Sequence, residues 1–226
     1  MKTNTKVYEI NEIFNSISVA VKTSKIKITK SDTSDAKVIF KENKRCAYVL
    51  TIEEGTLKIN HAKKKWFTYI LPSFIVPEIT IFIPFNNLGE LKVECVTGKI
   101  TISNMACNLL KIKNVTGKIT ISNMACNSLE IKKVTGRIDI ENTIAKDKMN
   151  ITTNTGTVNF NESDASEIFI KSKTGNIGGS LLSDKAFVVK CNTGKVNLPS
   201  TFGKQKCEVI SKTGNICFEI KPKNNF

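Results

Sequence analysis

The segments Val96–Asn108 and Val115–Asn127 carry the same thirteen residues, VTGKITISNMACN. The offset between them, 19 residues, is the first step of a ruler. Gly98, Gly117, Gly136, Gly156, Gly175, Gly194 and Gly214 are each preceded by threonine and spaced 19, 19, 20, 19, 19 and 20 residues apart. A unit this short cannot bury an apolar face by itself, so the period implies units that stack on copies of themselves.

The residues around the ruler say what each unit is. Seven positions before the glycines stand Leu91, Leu110, Leu129, Met149, Ile168, Phe187 and Cys207; five before stand Val93, Ile112, Ile131, Ile151, Ile170, Val189 and Val209. Two after come Ile100, Ile119, Ile138, Val158, Ile177, Val196 and Ile216. Apolar positions alternate with polar ones, as a strand with one buried face requires. Each repeat therefore reads as strand, Thr-Gly corner, strand and a looser return. Glycine at the corner supplies the positive φ of a type II turn.

The expected architecture is an all-β parallel β-helix, a β-solenoid of about nine coils with 19–20 residues per repeat, stacked at one strand spacing per coil. One domain covers 1–226. Irregular N-terminal coils fill 1–90 with an insertion at 61–76; seven regular repeats follow over 91–220, then a tail at 221–226. In the N-terminal part Ile17, Val19, Ile26 and Ile28 fit the template around Ser24, and Tyr48, Leu50, Leu57 and Ile59 fit it around Gly55. The segments 36–41 and 79–84 are expected to pair as extra edges. Stacking predicts a ladder of Asn104, Asn123 and Asn142, and Cys107 over Cys126 as paired thiols without a disulfide.

The recurring L-x-I-x-x-x-TG-x-I-x-I units, with PEITIFIP at 77–84, resemble the putative-adhesin family of bacterial β-strand-repeat domains of unknown function. That resemblance implies a right-handed coil and a link to the cell envelope, adhesion or envelope stress. It implies no catalytic residue.

Composition narrows the function classes. Lys and Arg outnumber Asp and Glu by 34 to 20, but only Arg45 and Arg137 are arginine, so bidentate reading of bases or phosphates has little to work with. Nucleic acid is not the expected partner. Met1–Val21 offers no apolar signal core and no stretch reaches bilayer length, so the expected setting is the cytoplasm or the inner membrane face. Seven cysteines without a CxxC pair, and one histidine, fit reduced buried thiols; no cofactor and no metal site is expected.

The basic residues form two columns. Lys113, Lys132, Lys171 and Lys190 stand four before the corner, and Lys99, Lys118, Arg137 and Lys195 one after it. Such stripes suit an anionic polymer or lipid surface, or simply keep the rod soluble. Lys63, Lys64, Lys65, Trp66 and Phe67, within HAKKKWFTYILPSFIV, suit a membrane interface or a cap on the open end of the core. Asp139 and Glu141 flank Ile140 as the one outward acidic pair, with no counterpart on adjacent coils. Glycan hydrolysis needs two carboxylates facing across a groove, so catalysis is not expected. Phe169, Val188 and Ile210 turn outward columns apolar near the C-terminus, which suggests self-association there or cover by the tail.

Overall fold

The computed structural model describes residues 4–42, 46–62, 76–84, 88–201 and 203–222. They hold eighteen strands and no helix, joined in one hydrogen-bonded sheet that coils on itself. The insertion residues Lys63, Lys64, Lys65, Trp66 and Phe67 lie outside the described residues.

The duplicated segment sets the register. Strand β9 (Ile100–Thr116) lies parallel on β10 (Ile119–Thr135), with Ile100 beside Ile119, Met105 beside Met124, Leu110 beside Leu129 and Thr116 beside Thr135. Each partner is one repeat away, so like packs on like. The columns at seven and five before the glycine and two after it are fully buried through the middle of the array, as in Leu110, Ile112 and Ile119. Each such side chain contributes about 2 kcal/mol by leaving water, gained only when a neighbouring coil covers it.

All seven corner glycines have positive φ, between 118° and 152°. These values lie beyond the roughly +80° of a type II turn, so the corner is a different one from that expected. Its cause is stacking. Gly98 N donates to Thr116 O and Gly136 N to Thr155 O, each at 2.9 Å, which draws successive corners together. A Cβ on Gly117 would fall onto the carbonyl of Gly98, and one on Gly136 onto that of Gly117. Asn104, Asn123 and Asn142 turn the second corner with φ of 58°, 51° and 45°, a left-handed conformation that asparagine tolerates. Asn123 Nδ2 donates to Asn104 Oδ1 at 2.9 Å, so the ladder begins as expected.

The coils do not stack in chain order at either end. Strand β17 (Gln205–Thr213) lies between β13 (Val158–Thr174) and β15 (Lys185–Thr193), and β18 (Ile216–Ile220) between β14 (Ile177–Leu181) and β16 (Val196–Asn197). The last coil in the chain is thus interior and the one before it outermost. At the other end β2 (Ser16–Thr23) and β3 (Lys25–Lys30) stack directly on β8 (Leu88–Thr97) and β9, while β6 (Thr56–His61) and β7 (Glu78–Ile83) lie outside them.

Two expectations are corrected here. The residues around Gly55 are not a coil corner: β5 (Tyr48–Glu53) and β6 form an antiparallel hairpin through Glu54 and Gly55, with φ of 52° and 68°. Two successive positive φ values match the hairpin's right-handed twist. The expected edge at 79–84 is instead a true coil strand, β7, parallel to β3. Strand β4 (Ala36–Glu42) joins the sheet outside the coils, antiparallel to β7, but β1 (Asn4–Ile10) pairs along its other side and takes the edge expected of it. The tail, one of the two covers expected for the last coil, is described only as far as Pro222, and there Lys221 N bonds Leu181 O at 2.7 Å.

Candidate binding groove

The basic columns stack, and the structure also shows what neutralises them. Four before the corner the order is Glu94, Lys113, Lys132, Thr152, Lys171, Ile210 and Lys190. Lys113 pairs with Glu94 at 3.1 Å and Lys132 with Glu130 at 2.6 Å. One after the corner, Asp139 takes Lys118 at 2.7 Å and Arg137 at 2.6 Å, with Asn159 Nδ2 donating at 2.8 Å. Burial alone would raise the Asp139 carboxyl, yet those three donors together hold it below its ordinary value. Asp139 is covered and committed to cations, so it does not pair with Glu141 as an outward acid. Lys99, Lys171, Lys190 and Lys195 make no ion pair among the described residues.

The apolar C-terminal patch is broken by the coil order. Glu208 lies between Phe169 and Val188, and Ile210 between Lys171 and Lys190.

A column absent from the sequence reading stands three before the corner: Val21, Cys95, Asn114, Lys133, Thr153, Ser172, Ser211 and Cys191, in that spatial order. The alternation that points positions seven and five before the glycine inward also points this one inward. From Asn114 to Ser211 the residues are polar and still buried. Tyr48 Oη donates to Ser24 Oγ at 3.0 Å, Asn114 Nδ2 to Cys95 O at 2.9 Å, and Lys133 Nζ to Asn114 Oδ1 at 2.5 Å. Beyond Lys133 the hydroxyls of Thr153, Ser172 and Ser211 are buried without a hydrogen-bond partner. Lys133 is 4% exposed and faces no carboxylate among the described residues, and burial pushes its ammonium down to about 8.

Cys95, Asn114 and Lys133 floor a groove of about 640 Å³ that runs along the corner from Lys133 to Asn60 and His61. Its wall is a stripe of Val96, Val115 and Val134, exposed at 47%, 41% and 40%. Glu94, Lys113 and Lys132 form the rim, and Ala20, Val21 and Lys22 extend the floor. At the far end His61 Nε2 lies 3.5 Å from Cys46 Sγ, and its Nδ1 is buried without a partner. Burial, with Lys22 nearby, lowers its pKa and keeps the ring neutral.

Among the described residues no disulfide joins the cysteines: Cys46, Cys95, Cys107, Cys126 and Cys207 are buried, Cys191 is partly covered and Cys217 exposed. Cys107 stacks on Cys126 in register, and burial pushes both thiols up to about 12. Neither is a nucleophile at neutral pH. Among the described residues no group of histidine, cysteine and carboxylate side chains could hold a metal.

Parallel coils with glycine corners and a buried polar column define a β-solenoid-like repeat protein. The chain belongs to the Toastrack DUF4097 family, whose model matches residues 14–222. Its fold is similar to the crystal structure of a putative adhesin from Bacteroides fragilis NCTC 9343, at a TM-score of 0.56 and 17% identity, covering 96% of this chain and 97% of that one. A putative lipid binding protein from Parabacteroides distasonis ATCC 8503 reaches 0.45 at 17% identity, covering 96% of each chain. A putative adhesin from Parabacteroides merdae ATCC 43184 reaches 0.35 at 13%, covering 97% of this chain and 96% of that one. No curated protein matches the chain.

Proposed function

We infer that this protein is a non-enzymatic binding module, a right-handed coil of about nine turns, whose contact surface is the corner groove. It works in the cytoplasm or at the inner face of the membrane, in the service of the cell envelope. The observation that carries the reading is the combination of an exposed valine stripe with a buried cation that has no carboxylate partner among the described residues. A solvated face needs neither, and a groove of this volume lies in the range of ligand pockets. Adhesin-named proteins of similar fold are consistent with binding.

Binding of anionic polymers by the lysine columns is the lesser reading, because half of those residues already have acidic partners. Hydrogen exchange with a panel of heparin, neutral glycans, anionic vesicles and alkyl carboxylates tests the reading. Protection at 94–97, 113–116 and 132–135 with one member supports it. Protection elsewhere, or with none, overturns it.

A further inference from the structure

We propose that a second groove, on the outward face of the C-terminal coils, takes a short neutral oligosaccharide held by the side-chain amides of Asn176 and Asn215. This surface is separate from the corner groove and stands or falls without it.

The frame follows from the stacking. Asn159, Gly178, Cys217 and Asn197 are register partners on four successive coils, in β13, β14, β18 and β16. Asn176 and Asn215 flank that column, two residues before Gly178 and Cys217. The alternation that sends Ile177 and Ile216 into the core turns both asparagines to solvent. No side chain can stand at Gly178, where a Cβ would fall onto Cys217 O, so the floor between Asn159 and Cys217 is bare backbone. Together these residues line a groove of about 530 Å³, within the range of small-ligand pockets.

The backbone fixes its chemistry. Asn215 N donates to Asn176 Oδ1 and Lys195 N to Asn215 Oδ1, each at 3.0 Å. A backbone N–H can only donate, so both amide oxygens are committed, and both Nδ2 groups remain as donors with no partner among the described residues. Asn159 is the reverse: its Nδ2 donates to Asp139 Oδ1 at 2.8 Å, which leaves its own oxygen to accept. The charged residue on the groove wall, Glu219, is paired with Lys221 at 2.6 Å.

A matching ligand donates and accepts hydrogen bonds and carries no charge. An apolar ligand would strand the amide donors, and an ion would find no opposite charge waiting. A peptide strand has no ladder to join, because β14 lies between β13 and β18, and β18 between β14 and β16. Sugar hydroxyls are donor and acceptor at once. Three strand spacings from Asn159 to Asn197 make about 14 Å, so a short chain of sugars, rather than one ring, spans the column.

NMR titration of the full chain with cellotriose, maltotriose and triacetylchitotriose at millimolar concentration reads the side-chain amide signals directly. At least one of the three should shift the signals of Asn176 and Asn215, which Asn176→Asp and Asn215→Asp assign by removing them. Each replacement keeps the oxygen that the next coil's N–H needs and turns the free donor into an acceptor. The circular dichroism spectrum should therefore hold while affinity falls about tenfold. Asn150→Asp, exposed on β12 away from the groove, should bind as the parent does. The proposal is overturned by no shift with any of the three sugars, by shifts confined to the corner groove, by parental affinity in both groove variants, or by an equal loss in Asn150→Asp.

Discussion

The rings of Phe160 and Phe218 meet at 5.9 Å between centroids across a rung occupied by Gly179. Gly179 is the register partner of both phenylalanines, and its missing side chain leaves the room in which they touch. Had the coils stacked in chain order, Leu198 would follow Gly179 and Phe218 would sit at the open end. Phe218 is buried in the observed order, while Val196 of the outermost coil is 45% exposed. The fully buried Lys185 fastens that outermost coil, donating to Gln205 Oε1 at 2.5 Å and Ala165 O at 2.8 Å and pairing with Asp164 at 2.5 Å.

The coil order is testable by crosslinking. Ser211 is the register partner of both Ser172 and Cys191. A Ser172→Cys, Ser211→Cys, Cys191→Ser chain should form a disulfide on oxidation, since adjacent rungs lie within bridging distance. Ser172→Cys alone should not bridge to Cys191, about 9.6 Å away at two strand spacings. The reverse pattern in peptide mass mapping would restore the chain-order stack.

Most of the coil was legible in the sequence, and the reason is local. The glycine ruler, the inward columns and the stacking of Leu110 on Leu129 all follow from period and alternation. The end swaps were not, because exchanging two coils leaves the columns at seven and five before the glycine apolar; the fit of Phe218 against Gly179 is what distinguishes them. Glu54-Gly55 resembled a corner because a hairpin and a coil both need alternating strands on either side. The buried polar column was within reach of the period-two pattern, but asparagine and lysine are residue types that seldom face a core. The ion pairs of Lys118 and Lys113 cross between coils, which the linear pattern does not order by distance.

The glycines separate two kinds of requirement. Gly136→Ala should cost about 3 kcal/mol or more, since its Cβ meets the Gly117 carbonyl and its φ is 118°. Gly55→Asn should stay within about 0.5 kcal/mol, because its φ of 68° suits asparagine and the nearest atom to a Cβ is 3.7 Å away. Urea unfolding of the two variants measures both.

Thiols and Lys133 act on stability with opposite signs. Cys107 and Cys126 have raised folded pKa values, so their contribution is complete below the unfolded value of about 8.5 and is lost as pH rises toward 12. Lys133 is depressed to about 8, so between there and about 10.4 the unfolded chain holds a proton that the folded side chain has released, and its penalty fades as pH rises. Lys133→Met should therefore stabilise the protein at pH 7, with the advantage over the parent shrinking by ~2 kcal/mol at pH 10. Taking the difference between the two chains cancels the thiols.

Any heparin binding should come from the unpaired lysines. Replacing Lys99, Lys171, Lys190 and Lys195 by glutamine should flatten the logarithmic salt dependence by up to about 0.9 per lost contact, at a stability change within about 0.5 kcal/mol. Replacing Lys113, Lys118, Lys132 and Arg137 should do less. Elution of the two variants against salt decides it.

The buried, carboxylate-free state of Lys133 is the claim on which the groove assignment rests. Carbon-detected NMR titration of the lysine ε-carbons, with Lys133→Met to assign the signal, should show one lysine with a midpoint near 8. A Lys133 signal that titrates with the exposed lysines near 10.4 would contradict the account.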